Sequence, residues 1–349
     1  STRWIIIALV FFTWLTVSLV RWGLEQRQNS QLMDELEEEE KSNAVDPTEE
    51  RSNEELALIK DRFKEALGVL KKSRFKSDSG SKTLYQLPWY IIIGPPGAGK
   101  TTALINSGLN FPLAQSHGGG ALSGVGGTRH CDWWFTNDAV LIDTAGRYTT
   151  QDSHQMVDKN AWSGFLKLLK KYRPRRPING AIVAISLQEL MAQTADQRQH
   201  HAITIRSRID ELQEQLGINF PIYLMFTKCD LVAGFNEFFA NFSQAEREQV
   251  WGMTFAANDQ SEPAARFVEE YRGLMERLNQ RLLGRINYER NLDARSLIHG
   301  FPERMETLAG NLEEFIAATF AANAYHAAPT LRGDTTSPRQ HKKARPLTV

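Results

Sequence analysis

The segment that most constrains the fold runs from Gly94 to Thr101 and reads GPPGAGKT. It matches the pattern GxxxxGK[ST], in which glycines allow backbone N–H groups to surround the phosphates of a ligand. The residues before it, WYIII, are typical of a buried strand, and a helical pattern follows it. A strand, a glycine-rich loop and a helix in this order predict a site for nucleotide phosphates. We call residues 94–101 the Walker A loop.

The Walker A loop supplies the first group of predicted site residues. The ammonium of Lys100 is expected to reach the β and γ phosphates, which makes Lys100 a candidate catalytic residue, and the Thr101 hydroxyl is expected to ligate Mg²⁺. The helix that begins after the loop adds a dipole that favours phosphate at its N-terminus. The predicted cofactor-binding residues of this segment are Gly94, Gly97, Gly99, Lys100, Thr101 and Thr102.

A second motif begins at Val140 and reads VLIDTAGR. Its aspartate, Asp143, ends a predicted strand and is expected to hold Mg²⁺ directly or through water, as a Walker B residue does. The spacing from Asp143 to Gly146 resembles the DxxG signature of Ras-like GTPases, in which the glycine N–H contacts the γ-phosphate. No glutamate directly follows Asp143, and Arg147 stands where Ras-like GTPases place a water-positioning glutamine. We therefore expect slow hydrolysis, with Arg147 as a candidate catalytic residue.

Two further segments carry predictions that leave alternatives open. Residues 116–128 contain six glycines and lie where a switch loop would, so Thr128 is a candidate Mg²⁺ ligand and catalytic residue; a flexible linker is the alternative. The segment TKCD follows an apolar strand and resembles the guanine signature [NT]KxD, with Thr227, Lys228 and Asp230 as cofactor-binding residues. A plain turn at the strand end is the alternative, so GTP and ATP both remain candidate ligands.

Short apolar runs alternate with helical patterns between residues 83 and 260, which predicts an α/β domain with a mostly parallel sheet and helices on both faces. Together with the Walker A loop, this pattern indicates a P-loop NTPase fold of the Ras-like type. Trp133, Trp134 and Phe135 are expected to pack within a strand. The predicted strands are 89–93, 131–135, 139–142, 181–185 and 221–226, the second and third forming a hairpin, and the predicted helices are 158–172 and 187–216.

The apolar run from Trp4 to Val20 contains no charged residue. As a helix it spans roughly 25 Å, which predicts a transmembrane helix at the short end of the usual range. A signal peptide would need a small-residue cleavage site, which Val20-Arg21-Trp22 does not provide. Because nucleotide is available in the cytoplasm, we expect the following domain to face the cytoplasm and an earlier span to precede this one. A chain that starts at Ser1 is interpreted as a fragment or a processed product.

Composition and pattern divide the chain into six predicted segments. The acidic run DELEEEEK follows the span, and Asn53 to Phe75 has apolar residues at helical spacing. A net charge of zero gives no support for nucleic-acid binding, and the two cysteines lack the spacing of a metal site. The segments are a transmembrane helix at 1–22, an acidic linker at 23–52, an amphipathic helix and connector at 53–82, a P-loop nucleotide-binding domain at 83–260, a helical subdomain at 261–325 and a disordered tail at 326–349.

Taken together, these stretches resemble the IcmF/TssM family, whose members are the large inner-membrane subunit of bacterial type VI secretion systems. The similarity covers about residues 84–323 and the span, and it includes GPPGAGKTT, GTRHCDWWF, VLIDTAGRY, FTKCDLVAGFNEFF and IHGFP. Family members continue past Gly333 into an apolar stretch, whereas this chain reads DTTSPRQHKKARPLTV, as a frameshifted or truncated gene would give.

The resemblance also implies a location and partners. It implies an inner-membrane protein that pairs with a small inner-membrane subunit of the IcmH/DotU type, an outer-membrane lipoprotein and the baseplate. It further implies a homo-oligomer in the assembled complex and no nucleic-acid partner.

Three functions fit these observations. The first is a nucleotide-dependent switch or assembly element of the secretion membrane complex, the second an ATP-hydrolysing motor of secretion, and the third a scaffold with little nucleotide turnover. The missing acid after Asp143 and the TKCD segment favour the switch over the motor. The intact Lys100, Thr101 and Asp143 favour it over the scaffold. Any enzymatic activity is expected to be that of a slow NTPase acting on GTP or ATP with Mg²⁺.

Overall fold

The computed structural model describes part of the chain. The described residues are 53–65, 87–109, 111, 131–136, 138–150, 155–243, 246, 251–253, 255, 262–322 and 328–332. All of them belong to the second of the two compact units into which the chain divides, Arg51–Val349. The predicted span, the acidic linker and the glycine-rich residues 116–128 lie outside the described residues.

A five-stranded sheet forms the centre of the described region, in the order β2-β3-β1-β4-β5. Strand β2 runs antiparallel to β3, and the other neighbours are parallel. This confirms the predicted hairpin and the mostly parallel sheet. The strands are β1 (Trp89–Ile93), β2 (Cys131–Phe135), β3 (Val140–Thr144), β4 (Gly180–Ser186) and β5 (Ile222–Thr227).

Nine α-helices are described around this sheet. Helix α1 comprises residues 53–65, the described part of the predicted amphipathic helix. The helices that follow are α2 (Lys100–Asn106), α3 (Arg147–Thr150), α4 (Gln155–Tyr172), α5 (Leu187–Ala192), α6 (Ala195–Leu216), α7 (Phe235–Phe239), α8 (Pro263–Tyr288) and α9 (Leu292–Phe320).

Alternating side chains of the strands point into two apolar layers, as the two-residue period of a strand requires. On one face, Ile91 and Ile93 of β1 join a large core that includes side chains of α1, α4, α6, α8 and α9. On the other face, Ile92 packs with Leu104 of α2 and with Phe111. Described helices therefore lie on both faces, as predicted, but α2 alone among them contributes a buried side chain to the smaller layer.

The tryptophans of the hairpin are packing residues, as predicted. Trp133 is buried beside Phe63 of α1, with 5.5 Å between the ring centroids, and Phe63 also contacts Trp89 and Tyr172. Trp134 is buried on the opposite face, where its ring lies 5.0 Å from that of Phe111. Burial of an aromatic side chain contributes about 1.5–3 kcal/mol, so this cluster fixes α1 onto the sheet.

The single helix predicted over 187–216 is wrong, because the structure has two helices there. Ser186 caps α5 by accepting a hydrogen bond from the N–H of Glu189. Thr194 begins α6 with a capping box, in which its side chain and that of Gln197 bond each other's backbone N–H groups. The spacing T-x-x-Q is the sequence signature of such a start, and it lies inside the apolar periodicity that suggested one helix.

The wholly helical region predicted from residue 263 to residue 323 is confirmed as the pair α8 and α9. Helix α8 packs on α9, and α9 packs on α6 and α7. Phe315 and Phe320 of α9 belong to the same apolar core as the sheet. The helical pair therefore shares one core with the strands, while the predicted boundary at residue 261 stays a prediction.

The outer edge of β5 is extended by a short stretch that the sequence assigned to the disordered tail. The Ile222 N–H donates to the Thr330 carbonyl at 2.8 Å, and the Arg332 N–H donates to the Ile222 carbonyl at 2.7 Å. Leu331, between them, is buried. Burial of this one apolar side chain and pairing with a free sheet edge explain why residues 328–332 are placed against the domain.

No helix within the described ranges is both long enough and apolar enough to cross a membrane. The predicted span from Trp4 to Val20 is not among those residues, so it stays a prediction.

Candidate functional site

The topology of the sheet points to one edge as the place for a ligand. Helix α2 follows β1 and packs on the smaller apolar layer, whereas α4 follows β3 and packs on the larger one. Strands β1 and β3 are neighbours in the sheet. From their carboxyl ends the chain passes to opposite faces of the sheet. A crevice at such a switch point is where open α/β sheets bind ligands. The Walker A loop and Asp143 both lie there.

Lys100 is held inside the Walker A loop. Its Nζ donates to the carbonyl oxygens of Gly94 at 2.7 Å and Pro95 at 3.0 Å, and its side chain is buried. Burial lowers the pKa of Lys100 to about 8, against the opposing effect of the carboxylates of Asp143 and Glu189. The ammonium therefore lies at the centre of the loop, with its charge only partly balanced.

The end of the loop turns sharply into α2. Gly99 has φ 77° and forms the N-cap of the helix in the left-handed region, which disfavours residues with a Cβ. Lys100 and Thr101 then begin α2. The N–H groups of the first turn of a helix have no partner within the helix, so they are available to an anion. Thr102 lies one residue further and is exposed.

Thr101 and Asp143 meet across the two motifs. The Thr101 Oγ1 donates to Asp143 Oδ2 at 2.6 Å. Asp143 is fully buried, and the register pairs it with Ile92, two residues before the Walker A loop begins. The structure thus brings together two of the three predicted Mg²⁺ ligands. The third, Thr128, lies outside the described residues and stays a prediction.

The DxxG turn, residues 143–146, presses against the start of the Walker A loop. A Cβ on Gly146 would lie 2.4 Å from the nitrogen of Pro96, which is closer than any real contact. Thr149 of α3 accepts a 3.1 Å hydrogen bond from the N–H of Gly94. Only glycine therefore fits at residue 146, and the turn and the loop are fixed to each other. The sequence offered no specific signal for Thr149.

The guanidinium of Arg147 lies between two carboxylates and a tyrosine ring. It donates to Glu55 and, at 3.3 Å, to Asp158, and it lies 5.0 Å from the ring centroid of Tyr148. Tyr148 also donates to Glu55, and its pKa is raised mainly by burial. Two buried carboxylates explain the placement, because they attract the cation towards α1 and α4. The catalytic role of Arg147 stays a prediction.

The TKCD segment touches the Walker A loop through its first residue. The Thr227 Oγ1 donates to the Ala98 carbonyl at 2.6 Å. Lys228 has the left-handed value φ 56°, and its Nζ lies 3.3 Å from Glu189 Oε1. Asp230 is exposed, and its main-chain oxygen accepts a hydrogen bond from Asn236. The carboxylate of Asp230 therefore faces solvent at the same edge of the sheet as the loop.

Glu189 is a site residue that the sequence analysis missed. Its carboxylate pairs with Lys228 and lies 4.0 Å from a Cβ built on Gly97. Its position follows from the helix break, because the Ser186 cap starts α5 at the end of β4 and aims its first turn at the loop. In the sequence, Glu189 is an acidic residue two positions into an apolar helical run, and this pattern does not indicate a contact with the Walker A loop.

Two comparisons with known proteins bear on this arrangement. The model of the IcmF-related N-terminal domain matches residues 155–345. The Type VI secretion system component TssM1 of Pseudomonas aeruginosa is 54% identical over 293 residues, which is 83% of this chain and 26% of that protein. The chain thus spans about a quarter of the length of the curated relative that it matches.

Proposed function

The chain belongs to the IcmF/TssM family, and from this membership and the geometry of the Walker A loop we propose that it binds a nucleoside triphosphate with Mg²⁺ and acts as a nucleotide-dependent switch or assembly element of a type VI secretion membrane complex. The observation that carries the nucleotide part is the contact between Thr101 and Asp143 beside the buried ammonium of Lys100. These groups supply a hydroxyl and a carboxylate for Mg²⁺ and a cation for phosphate, within a P-loop NTPase fold.

The residues present fit Mg²⁺ and a triphosphate. Hard cations such as Mg²⁺ take oxygen ligands, and the two oxygens of Thr101 and Asp143 are already adjacent. The bound ion would neutralise charge on the phosphates. Lys100 would exchange its carbonyl partners for phosphate oxygens, and the N–H groups of the first turn of α2 would bind the same anion.

Guanine is the base that we propose the site prefers. Thr227 ties the end of β5 to the Walker A loop, which supports a base-binding role for the residues that follow it. The exposed Asp230 carboxylate has the acceptors that the ring N–H and amino group of guanine require, whereas adenine presents a different pattern. ATP is the alternative ligand.

Slow turnover is the expected behaviour of the isolated protein. The guanidinium of Arg147 is engaged by Glu55 and Asp158, and the residue directly after Asp143 is Thr144 and not an acid. A partner that supplies a water-positioning or charge-stabilising group would accelerate hydrolysis, as activating proteins do for slow GTPases.

For the cellular setting we propose the bacterial inner membrane, with the run from Trp4 to Val20 as a span and the nucleotide site in the cytoplasm. The proposed partners are a small inner-membrane subunit of the IcmH/DotU type, an outer-membrane lipoprotein, the baseplate and further copies of this chain. These proposals rest on family membership, and the matched region covers only 26% of the relative.

The direct test is a titration of the full chain in detergent with GTP and ATP, each with Mg²⁺, for the wild type and Lys100→Ala. Loss of a charge-assisted contact to phosphate costs about 2–3 kcal/mol, so the affinity should fall roughly 30- to 150-fold. Lys167→Ala, which removes an exposed lysine of α4, is the matched control and should bind as the wild type does. Equal affinities in a folded Lys100→Ala variant would overturn the nucleotide-binding proposal.

A further inference from the structure

Helix α1 reaches the DxxG turn through one buried carboxylate. Glu55 accepts hydrogen bonds from both the guanidinium of Arg147 and the hydroxyl of Tyr148. Glu55 and Tyr148 are buried, and Asp158 of α4 holds the other side of Arg147 at 3.3 Å. The two residues after Gly146 are therefore fixed by a side chain that comes from some ninety positions earlier in the chain.

The same turn is fixed to the Walker A loop on its other side. Gly146 leaves no room for a Cβ beside Pro96, and the Gly94 N–H donates to Thr149. Glu55, the DxxG turn and the loop thus form a continuous set of short contacts. A shift of Arg147 and Tyr148 would displace Gly146 and Thr149, because four consecutive residues in a helical turn move together.

A second ion pair anchors the same helix away from the turn. Arg62 of α1 donates to Asp132 of β2 at 2.9 Å, and Asp132 is buried. Asp132 pairs with Asp143 in the antiparallel register. The hydrogen bond of Arg62 goes to Asp132, whereas those of Glu55 come from Arg147 and Tyr148. Helix α1 therefore has one ion pair with Arg147, next to the DxxG turn, and a second with Asp132 of β2, so the two pairs can be tested separately.

From these contacts we propose that Glu55 is a positioning residue of the nucleotide site. It holds the DxxG turn in the position in which the Gly146 N–H can contact the γ-phosphate. It also couples that contact to the docking of helix α1. The proposal rests on the proposed function. A γ-phosphate contact that favours one position of the turn must favour the same position of Glu55, since coupling between two sites is reciprocal.

The experiment compares Glu55→Ala with Arg62→Ala in the full chain. For each variant the affinities for the Mg²⁺ complexes of the triphosphate and the diphosphate of the preferred base are measured, and their ratio is the readout. Coupling energies of this kind correspond to about 5- to 150-fold, so Glu55→Ala should lower the ratio at least about fivefold. Arg62→Ala should leave the ratio unchanged, although it leaves Asp132 buried without that partner and lowers the melting temperature.

A second measurement keeps the proposal testable if Glu55→Ala folds poorly. Glu55→Gln keeps an acceptor oxygen for Tyr148 and loses the charge, so its ratio should lie between those of the wild type and Glu55→Ala. Amide hydrogen exchange is a further readout, and its comparison of the variants needs no nucleotide. Exchange at residues 146–150 should accelerate in the Glu55 variants and not in Arg62→Ala, and addition of triphosphate to the wild type should slow exchange within residues 53–65.

The outcomes separate the two proposals. If the wild type binds neither GTP nor ATP, the proposed function fails and the positioning role falls with it. If the wild type binds nucleotide but Glu55→Ala and Arg62→Ala change the ratio and the exchange equally, only the role of Glu55 is overturned. A ratio lowered by the Glu55 variants alone, with faster exchange at the turn, supports the proposal.

Discussion

The Thr101 hydroxyl donates a 2.6 Å hydrogen bond to the Asp143 carboxylate, and this bond joins the first turn of α2 to the last residues of β3. Parallel pairing between β1 and β3 aligns the carboxyl ends of the two strands, so motifs about forty residues apart in the sequence meet at one point. The parallel sheet thus places the two proposed Mg²⁺ ligands side by side.

Replacement of Asp143 should remove the Mg²⁺ dependence of triphosphate binding. Asp143→Asn keeps the size of the side chain and an acceptor for Thr101, but it loses the charge that a divalent cation requires. In the wild type we expect Mg²⁺ to raise triphosphate affinity about tenfold or more, because a bond to a charged group contributes about 1.5–3 kcal/mol. In Asp143→Asn we expect Mg²⁺ to raise the affinity less than about threefold. Titrations with Mg²⁺ and with a chelator measure this, with exposed Asp293→Asn as the control. An unaltered Mg²⁺ effect would exclude Asp143 as a ligand.

Triphosphate affinity should fall as the pH rises above 8. Burial lowers the pKa of Lys100 to about 8, and phosphate bound to the ammonium must raise that pKa again. Below pH 8 the ammonium is already charged and the affinity is constant; above it, binding must take up a proton. The affinity should therefore drop about tenfold between pH 7 and pH 9. Titrations at both values would check this, and Lys100→Ala should show a flat profile.

Gly146→Ala should destabilise the protein and weaken triphosphate binding together. The added Cβ would lie 2.4 Å from the nitrogen of Pro96 and 2.8 Å from the carbonyl carbon of Pro95, so backbone must move. Overpacking of this kind costs about 1–3 kcal/mol of unfolding free energy. Gly284 of α8 meets nothing within 4 Å of a built Cβ, so Gly284→Ala is the matched control and should stabilise by about 0.5–1 kcal/mol. Denaturant unfolding of both variants measures the difference in unfolding free energy. If the two variants have the same unfolding free energy, residues 143–146 shift at little cost to make room for the added Cβ.

The full chain should need detergent or a bilayer, whereas a chain that begins at Asn53 should not. The reason is the uncharged run from Trp4 to Val20. Exposure of so many apolar side chains to water is unfavourable in free energy, so the full chain would aggregate without detergent or lipid. Fractionation and size-exclusion chromatography of both chains test this prediction. Recovery of the full chain as a monomer without detergent would remove the proposed span.

The strands and the two phosphate-related motifs were predictable because their signals are local. Buried strands such as Trp89–Ile93 are short apolar runs next to glycine, and the Walker A loop is a contiguous pattern. The meeting of Thr101 with Asp143 followed once a parallel sheet was assumed. These parts of the fold and of the site depend on period and spacing, which a sequence displays directly.

The sequence did not indicate the contacts between charged residues that lie far apart in the chain. The sequence predicts Arg147 as a candidate catalytic residue and assigns no site role to Glu55. In the structure each satisfies the other, because burial of an unpaired charge costs more than either surface role would gain. Glu189 was hidden for a related reason: the break between α5 and α6 decides where its side chain points.

The last prediction concerns the base. Thr227 fixes the end of β5 to the Ala98 carbonyl, and Asp230 follows on a short 3-10 helix with its carboxylate in solvent. A site that hydrogen-bonds a particular group rejects analogues that lack it, because its polar atoms are left unpaired. GTP should therefore bind more tightly than ATP, and Asp230→Asn should shrink that preference at least about tenfold while Asp138→Asn, at the other end of the sheet, leaves it unchanged. Thr227→Val should instead weaken both nucleotides alike, since it removes the 2.6 Å bond that holds the Walker A loop without touching the base. Competition titrations with labelled GTP and ATP on the wild type and the three variants give all of these values. Equal affinities for the two nucleotides in the wild type would make TKCD a turn at the end of β5, and ATP would then be the ligand to pursue.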